Sequence, residues 1–207
     1  MALPGKSRRQ QLREQQLAAA RKQKRNRLIV WSSVIVVAAL VITGATVAIV
    51  RTVGNRPVAD MSAVQKFDNI PAGQHTEQTV NYPQTPPVGG AHRSAWLNCG
   101  IYDQPVPNEN AVHALEHGAV WVTYRPDLPA DQVERLRAAV PSTYMVVSPY
   151  PGIDAPVIAS AWGYQLKLDG VDDPRLQTFI QEYRLGPQTP EPGAACTGAV
   201  DAPGKLA

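Results

Sequence analysis

Asn108-Glu109-Asn110-Ala111-Val112-His113-Ala114-Leu115-Glu116-His117-Gly118-Ala119-Val120-Trp121-Val122-Thr123-Tyr124 holds two kinds of periodicity in succession. In its first part, residues four apart share a face of a helix, so His113 and His117 point the same way while Val112 and Leu115 form a separate apolar edge. Pro107-Asn108 suits a first helical turn, and Gly118 suits the left-handed position after the last one. In its second part, the β-branched and aromatic run 119-124 reads as a strand, closed by Arg125-Pro126-Asp127. A helix that feeds straight into a buried strand sets the expectation of an α+β domain.

The elements downstream fit that class. Val133, Leu136 and Val140 fall at helical spacing within 129-140, a strand is expected at 144-148, and 157-166 reads as one further strand. Asp173-Pro174 opens a helix running to about Arg184, with Leu176, Phe179, Ile180 and Tyr183 on one face and Gly186 beyond its end. The expected architecture is a short β-sheet with packed helices. Upstream, 71-102 holds Pro83, Pro86-Pro87 and Gly89-Gly90 and reads as an ordered loop, a length of irregular chain that usually serves a purpose.

Charge and hydropathy divide the N-terminal part. Up to Arg27 there are nine Lys/Arg against Glu14 alone, a net of +8, whereas the whole chain is +3, so the remainder carries −5. The basic balance therefore belongs to a tail, and no nucleic-acid partner is expected for the folded part. Residues 28-50 contain no charge and are numerous enough to cross a hydrocarbon core of about 30 Å as a helix. The expectation is a basic cytoplasmic tail (1-27), a single transmembrane helix acting as uncleaved signal-anchor (28-50), a linker (51-70) and an extracytoplasmic α+β domain (71-200). The lipid bilayer is then a partner, and the cell membrane the location.

The chemistry concentrates around the opening stretch. His113 and His117 from one helix face, with His92 from the glycine-flanked loop Gly89-Gly90-Ala91-His92, make three nitrogen ligands suited to zinc or copper. Met145 or a water is a candidate fourth ligand, and a thioether there tilts the choice towards copper. Glu116 beside them is a candidate to accept a ring N–H and fix a tautomer. Cys99 and Cys196 on an oxidising side are expected to pair as a disulfide; the competing reading makes Cys99 a soft copper ligand.

Pro86-Pro87-x-x-Gly90-x-His92, Gly100-x-Tyr102, His113-x-x-Glu116-His117-Gly118, Pro149-Tyr150-Pro151 and Ala161-Trp162-Gly163 together resemble the bacterial membrane-protein family catalogued as domain of unknown function 3105. The resemblance covers about residues 60-195. It implies a short inside tail, one spanning helix and an outer domain, and it brings no activity or ligand with it.

Three functions compete on this sequence. The first is a membrane-anchored domain that binds copper or zinc for envelope metal handling or sensing. The second is a zinc-dependent hydrolase, because His113-x-x-Glu116-His117 has the inverted zinc-protease order, with Glu116 as general base and Glu182 or Glu191 as a third ligand. The third is a metal-free envelope interaction protein whose aromatics line a groove.

Overall fold

The computed structural model describes residues 22, 24, 26, 27, 31, 37-46 and 59-206. The chain divides into two compact units, Met1–Val58 and Ala59–Ala207.

In the first unit, the described part of the apolar run is Trp31 and the helical residues 37-46. Among the described residues no helix is long and apolar enough to cross a membrane. A span needs about 20 helical residues at 1.5 Å each, and 37-46 supplies only half of that. This corrects the reading of 28-50 as a single transmembrane signal-anchor. The single-pass membrane location with a cytoplasmic N-terminus, the bilayer as partner and the membrane-anchored form of the function fall with it. The remainder of 28-50 and most of the basic tail lie outside the described residues.

The second unit is an α+β fold around one six-stranded sheet. Its elements are β1 (Gln65–Lys66), β2 (Gly100–Ile101), α1 (Asn108–Glu116), β3 (Val120–Tyr124), α2 (Ala130–Ala139), β4 (Met145–Pro149), β5 (Val157–Ala161), β6 (Tyr164–Leu168) and α3 (Arg175–Tyr183). The spatial order is β1-β6-β5-β3-β4-β2. β4 runs parallel to both β3 and β2, whereas β1, β6, β5 and β3 alternate in direction. The parallel pair β3 and β4 follows from α2 between them, since a parallel return needs a crossover.

Alternation along β3 sorts the core into two faces. Val120, Val122 and Tyr124 pack with Leu136 of α2, Leu176, Phe179 and Ile180 of α3, and Met145. Trp121, one residue out of phase, packs with Val112 and Leu115 of α1, Leu97, Tyr102 and Trp162. α1 thus lies on the face opposite α2 and α3, and β3 is buried throughout its length.

Three local features differ from expectation. The single strand expected at 157-166 is a hairpin: Trp162-Gly163 forms the turn, with Gly163 at φ +73°. A Cβ on Gly163 would sit 3.3 Å from the Phe67 carbonyl oxygen, so a glycine is also what the packing there accepts. Gln65–Lys66, within the stretch read as linker, pairs with β6. Finally, the loop of 71-102 is tied down by an isolated parallel bridge between His75 and His92, in which Thr76 N–H donates to the His92 carbonyl at 2.7 Å and His92 N–H to the Gln74 carbonyl at 2.9 Å.

Candidate metal centre

α1 is built so that its last turns are inside the protein. From Ala111 to Glu116 every side chain is buried, and the helix closes where Gly118 takes φ +105°. A Cβ on Gly118 would lie 2.8 Å from the Leu185 side chain, so only glycine lets the chain turn back beneath Leu185 into β3.

The Gly89-Gly90 loop supplies the facing wall. Gly89, at φ +146°, has Ile70 and the Trp162 ring where a side chain would be, and Gly163 N–H donates to the Val88 carbonyl at 2.8 Å. The hairpin turn of Ala161-Trp162-Gly163 therefore supports the loop that carries His92, whose ring meets Trp162 edge-on at 6.0 Å. The adjoining segment 93-97 is laced to α1: Arg93 and Leu97 N–H groups donate to the Glu109 and Asn110 carbonyls at 3.3 and 2.9 Å.

These walls bring His75, His92, His113 and Glu116 together, with one ligand atom from each lying within 4.8 Å of all the others. The group can coordinate a metal ion. Ring centroids stand 5.0 Å apart for His75 and His92, 5.0 Å for His75 and His113, and 4.7 Å for His92 and His113. Bonds of about 2.0 to 2.2 Å in a tetrahedral shell place ligand atoms about 3.4 Å apart, so the cluster must draw in by roughly 1 Å to close on an ion. His75 is exposed and can supply that movement, while the other three are buried.

Hydrogen bonding prepares the rings. His92 Nδ1 contacts the Gly90 carbonyl at 2.7 Å and His113 Nδ1 the Arg93 carbonyl at 2.6 Å. A carbonyl oxygen can only accept, so each Nδ1 carries the proton and each Nε2 keeps a lone pair in the neutral ring, the usual state of a metal-binding imidazole. Burial pushes His113 down to about 4, outweighing the upward pull of the Arg93 carbonyl, so this ring is neutral at pH 7. Glu116 is held by its other oxygen: Gly73 N–H donates to Oε1 at 2.6 Å. His92 Nε2 and Glu116 Oε2 lie 3.0 Å apart, both fully buried, and neither has a hydrogen-bond partner, since with the ring proton on Nδ1 both atoms are acceptors.

The expected ligands are distributed differently. His92 and His113 lie in the cluster. His117 adjoins it, its ring 4.5 Å from that of His113, but its Nδ1 donates to the Ala195 carbonyl at 2.6 Å and its Nε2 faces Glu191 Oε2 at 3.6 Å. Glu116 stands among the candidate ligands. Met145 is buried on the other face of the sheet, with Leu136 and Phe179, and Glu182 is exposed on α3. Cys99 and Cys196 form a disulfide, with Cα atoms 5.3 Å apart. The bond fixes the tail whose Glu191 and Gly193 N–H groups donate to the Glu116 and His117 carbonyls. His75 is the residue the sequence did not reveal. Its one signal is that the chain has only four histidines, three of them already read as ligands.

Residues 74–198 match the family described as "Protein of unknown function (DUF3105)", and the chain belongs to that family. The membrane-protein character expected with the resemblance is corrected by the absence, among the described residues, of a helix able to span a bilayer. No curated protein and no solved structure matches the chain.

Proposed function

We propose, with membership of this family as the premise, that the Ala59–Ala207 unit binds one zinc ion through Nε2 of His75, His92 and His113 and the carboxylate of Glu116. The observation that carries the reading is the buried pair of His92 Nε2 and Glu116 Oε2, 3.0 Å apart and each without a hydrogen-bond partner. Leaving both bare costs desolvation that an ion would offset. Three nitrogens and an oxygen suit Zn(II), with Cu(II) next. Soft ligands that would favour Cu(I) are not at hand, since the cysteines are joined and Met145 lies across the sheet.

The test is elemental analysis of the full chain purified without a histidine tag, then loaded with zinc and dialysed. One equivalent is expected in the native protein and none in His92→Ala with an unchanged circular dichroism spectrum. A native protein that retains no metal after loading sinks the proposal.

Zinc-dependent hydrolysis is the second reading, favoured by the exposure of His75, which leaves one side of the cluster open to solvent. In that reading Glu116 serves as ligand, because its Oε1 is engaged by Gly73 N–H while its Oε2 lies bare within the cluster. The base role passes to Glu191, which is half-exposed beside His117. Zinc-loaded protein that cleaves activated esters no faster than its Glu191→Gln variant removes this reading and leaves zinc binding intact.

A further inference from the structure

An ion bound by the histidine cluster has no open way in. The side chain of His92 is 0% exposed and that of Glu116 1%, and the two atoms left without partners, His92 Nε2 and Glu116 Oε2, are both buried. One wall of the cluster must therefore move before zinc can reach them, and the walls are not held alike.

Two of them are fixed from behind. α1 is buried from Ala111 to Glu116, and N–H groups of Arg93, Leu97 and Glu191 donate to its carbonyls. The loop that carries His92 is braced by Gly163 N–H on the Val88 carbonyl and by the Tyr82 hydroxyl, which donates to the Ala91 carbonyl at 2.6 Å. The third wall, residues 71-76, brings His75, and Pro71 to His75 are all exposed. Among the described residues, the hydrogen bonds that tie the backbone of this segment to other elements end on the cluster itself. Gly73 N–H donates to Glu116 Oε1, Thr76 N–H to the His92 carbonyl, and His92 N–H to the Gln74 carbonyl. A segment with little buried surface, held by a few solvent-facing backbone bonds, is the part of a fold that opens at least cost.

We propose, on the basis of the zinc reading above, that 71-76 is a strap that swings away to admit the ion and closes over it with His75 as the last ligand. Glu116 couples the two events, because one of its oxygens holds the strap at Gly73 while the other lies bare within the cluster. Zinc then enters and leaves no faster than the strap opens.

Gly73 is the place to test this. It takes φ +65°, and an added Cβ would meet nothing within 4 Å, so a β-branched residue there strains the closed strap without a clash. Zinc-loaded full chain is mixed with an excess of the chromogenic chelator pyridylazoresorcinol, and release is timed. The native rate should reach a plateau as chelator is raised, since opening comes first. Gly73→Val should release zinc about five-fold faster or more, and Gly73→Ala, which replaces it if the valine variant retains too little zinc to time, should lie between. Gly152→Val puts similar strain into the turn after β4, at φ +83° and again with nothing within 4 Å, and should release at the native rate. Amide exchange at Gly73 and Thr76 should slow when the native chain takes up zinc. The strap is overturned, with zinc binding left standing, if the Gly73 variants hold one equivalent and release it at the native rate, if Gly152→Val is accelerated as much as they are, or if native release rises in proportion to chelator without a plateau. A native chain that takes up no zinc overturns both readings.

Discussion

On one face of the central sheet, Val120 and Val122 meet Leu136, Leu176 and Phe179 in a layer of aliphatic and aromatic contacts. On the other, Trp121 lies beneath a helix that buries His113 and Glu116 beside His92 and His117. The same strand serves both layers, yet their energetics differ. The first is held by apolar area removed from water, which any well-packed set of similar volume supplies. The second contains buried imidazoles and a carboxylate, whose desolvation must be offset by specific partners. The first layer makes the fold, and the second is where a ligand has something to neutralise.

Phe179→Ala is the strongest way to separate the two. Phe179 is fully buried, and truncating such a ring costs about 3 to 5 kcal/mol. Urea unfolding should show that loss, while the protein still folded at low urea should take up the one zinc equivalent proposed for the native chain. Loss of zinc from the folded variant would mean that the faces are not independent.

Cutting the disulfide acts the other way round. The bond joins residues 97 apart in sequence, and a loop of that length is worth up to about 5 kcal/mol of unfolded-state entropy. Cys99→Ser with Cys196→Ser should therefore lower the urea midpoint. Unlike Phe179→Ala, it should also weaken zinc binding, since the tail held by Cys196 bonds to the Glu116 and His117 carbonyls. Unchanged zinc affinity in the folded double variant would show that the tail plays no part in shaping the cluster.

Acid should weaken the metal-free protein through the histidine face first. The folded-state value of His113 lies below the ordinary 6.5, at about 4, owing to burial. The unfolded chain thus binds more protons between those values, and stability present in full above pH 6.5 is lost as pH falls towards 4. On the other side, Asp173 before α3 is held at about 2 by Arg175, so its contribution goes only below pH 3.8. Urea midpoints of chelator-treated protein should decline from pH 6.5 to 4, and His113→Gln should flatten that decline. A native midpoint that is level across the window would contradict the burial argument.

The two faces also differ in how far they could be read from the chain. α2, α3, β3 and β4 lie within about a residue of the positions their periodicity marks, because a two-sided core repeats on itself. The hairpin at Trp162-Gly163 escaped because its two-residue turn sits inside a mostly apolar run, and β1 and β2, two residues each, have no period to detect. At the site, the helical spacing marked His113 and its neighbours but could not say which would converge. His75 arrives through a bridge between two irregular segments, and the contact of Glu116 with His92 follows from a turn at Gly73. For residues 28-50, hydropathy reports what a segment could bury, whereas among the described residues no helix is long and apolar enough to cross a membrane.

Met145→Leu is the mildest substitution and the most direct test of where the division between the faces runs. The thioether is 3% exposed and packs with Leu136 and Phe179, on the side of the sheet away from α1. Leucine has nearly the same volume, so the cost should stay below about 1.5 kcal/mol, and zinc content should remain at one equivalent. A sulfur ligand would behave otherwise, because leucine offers no lone pair and metal affinity would collapse while stability barely moved. Metal content and urea midpoint, measured on the same preparation, therefore read the two faces separately. Metal loss without destabilisation would put the sulfur back among the ligands and erase the boundary that the alternation of Val120, Trp121 and Val122 draws through the strand.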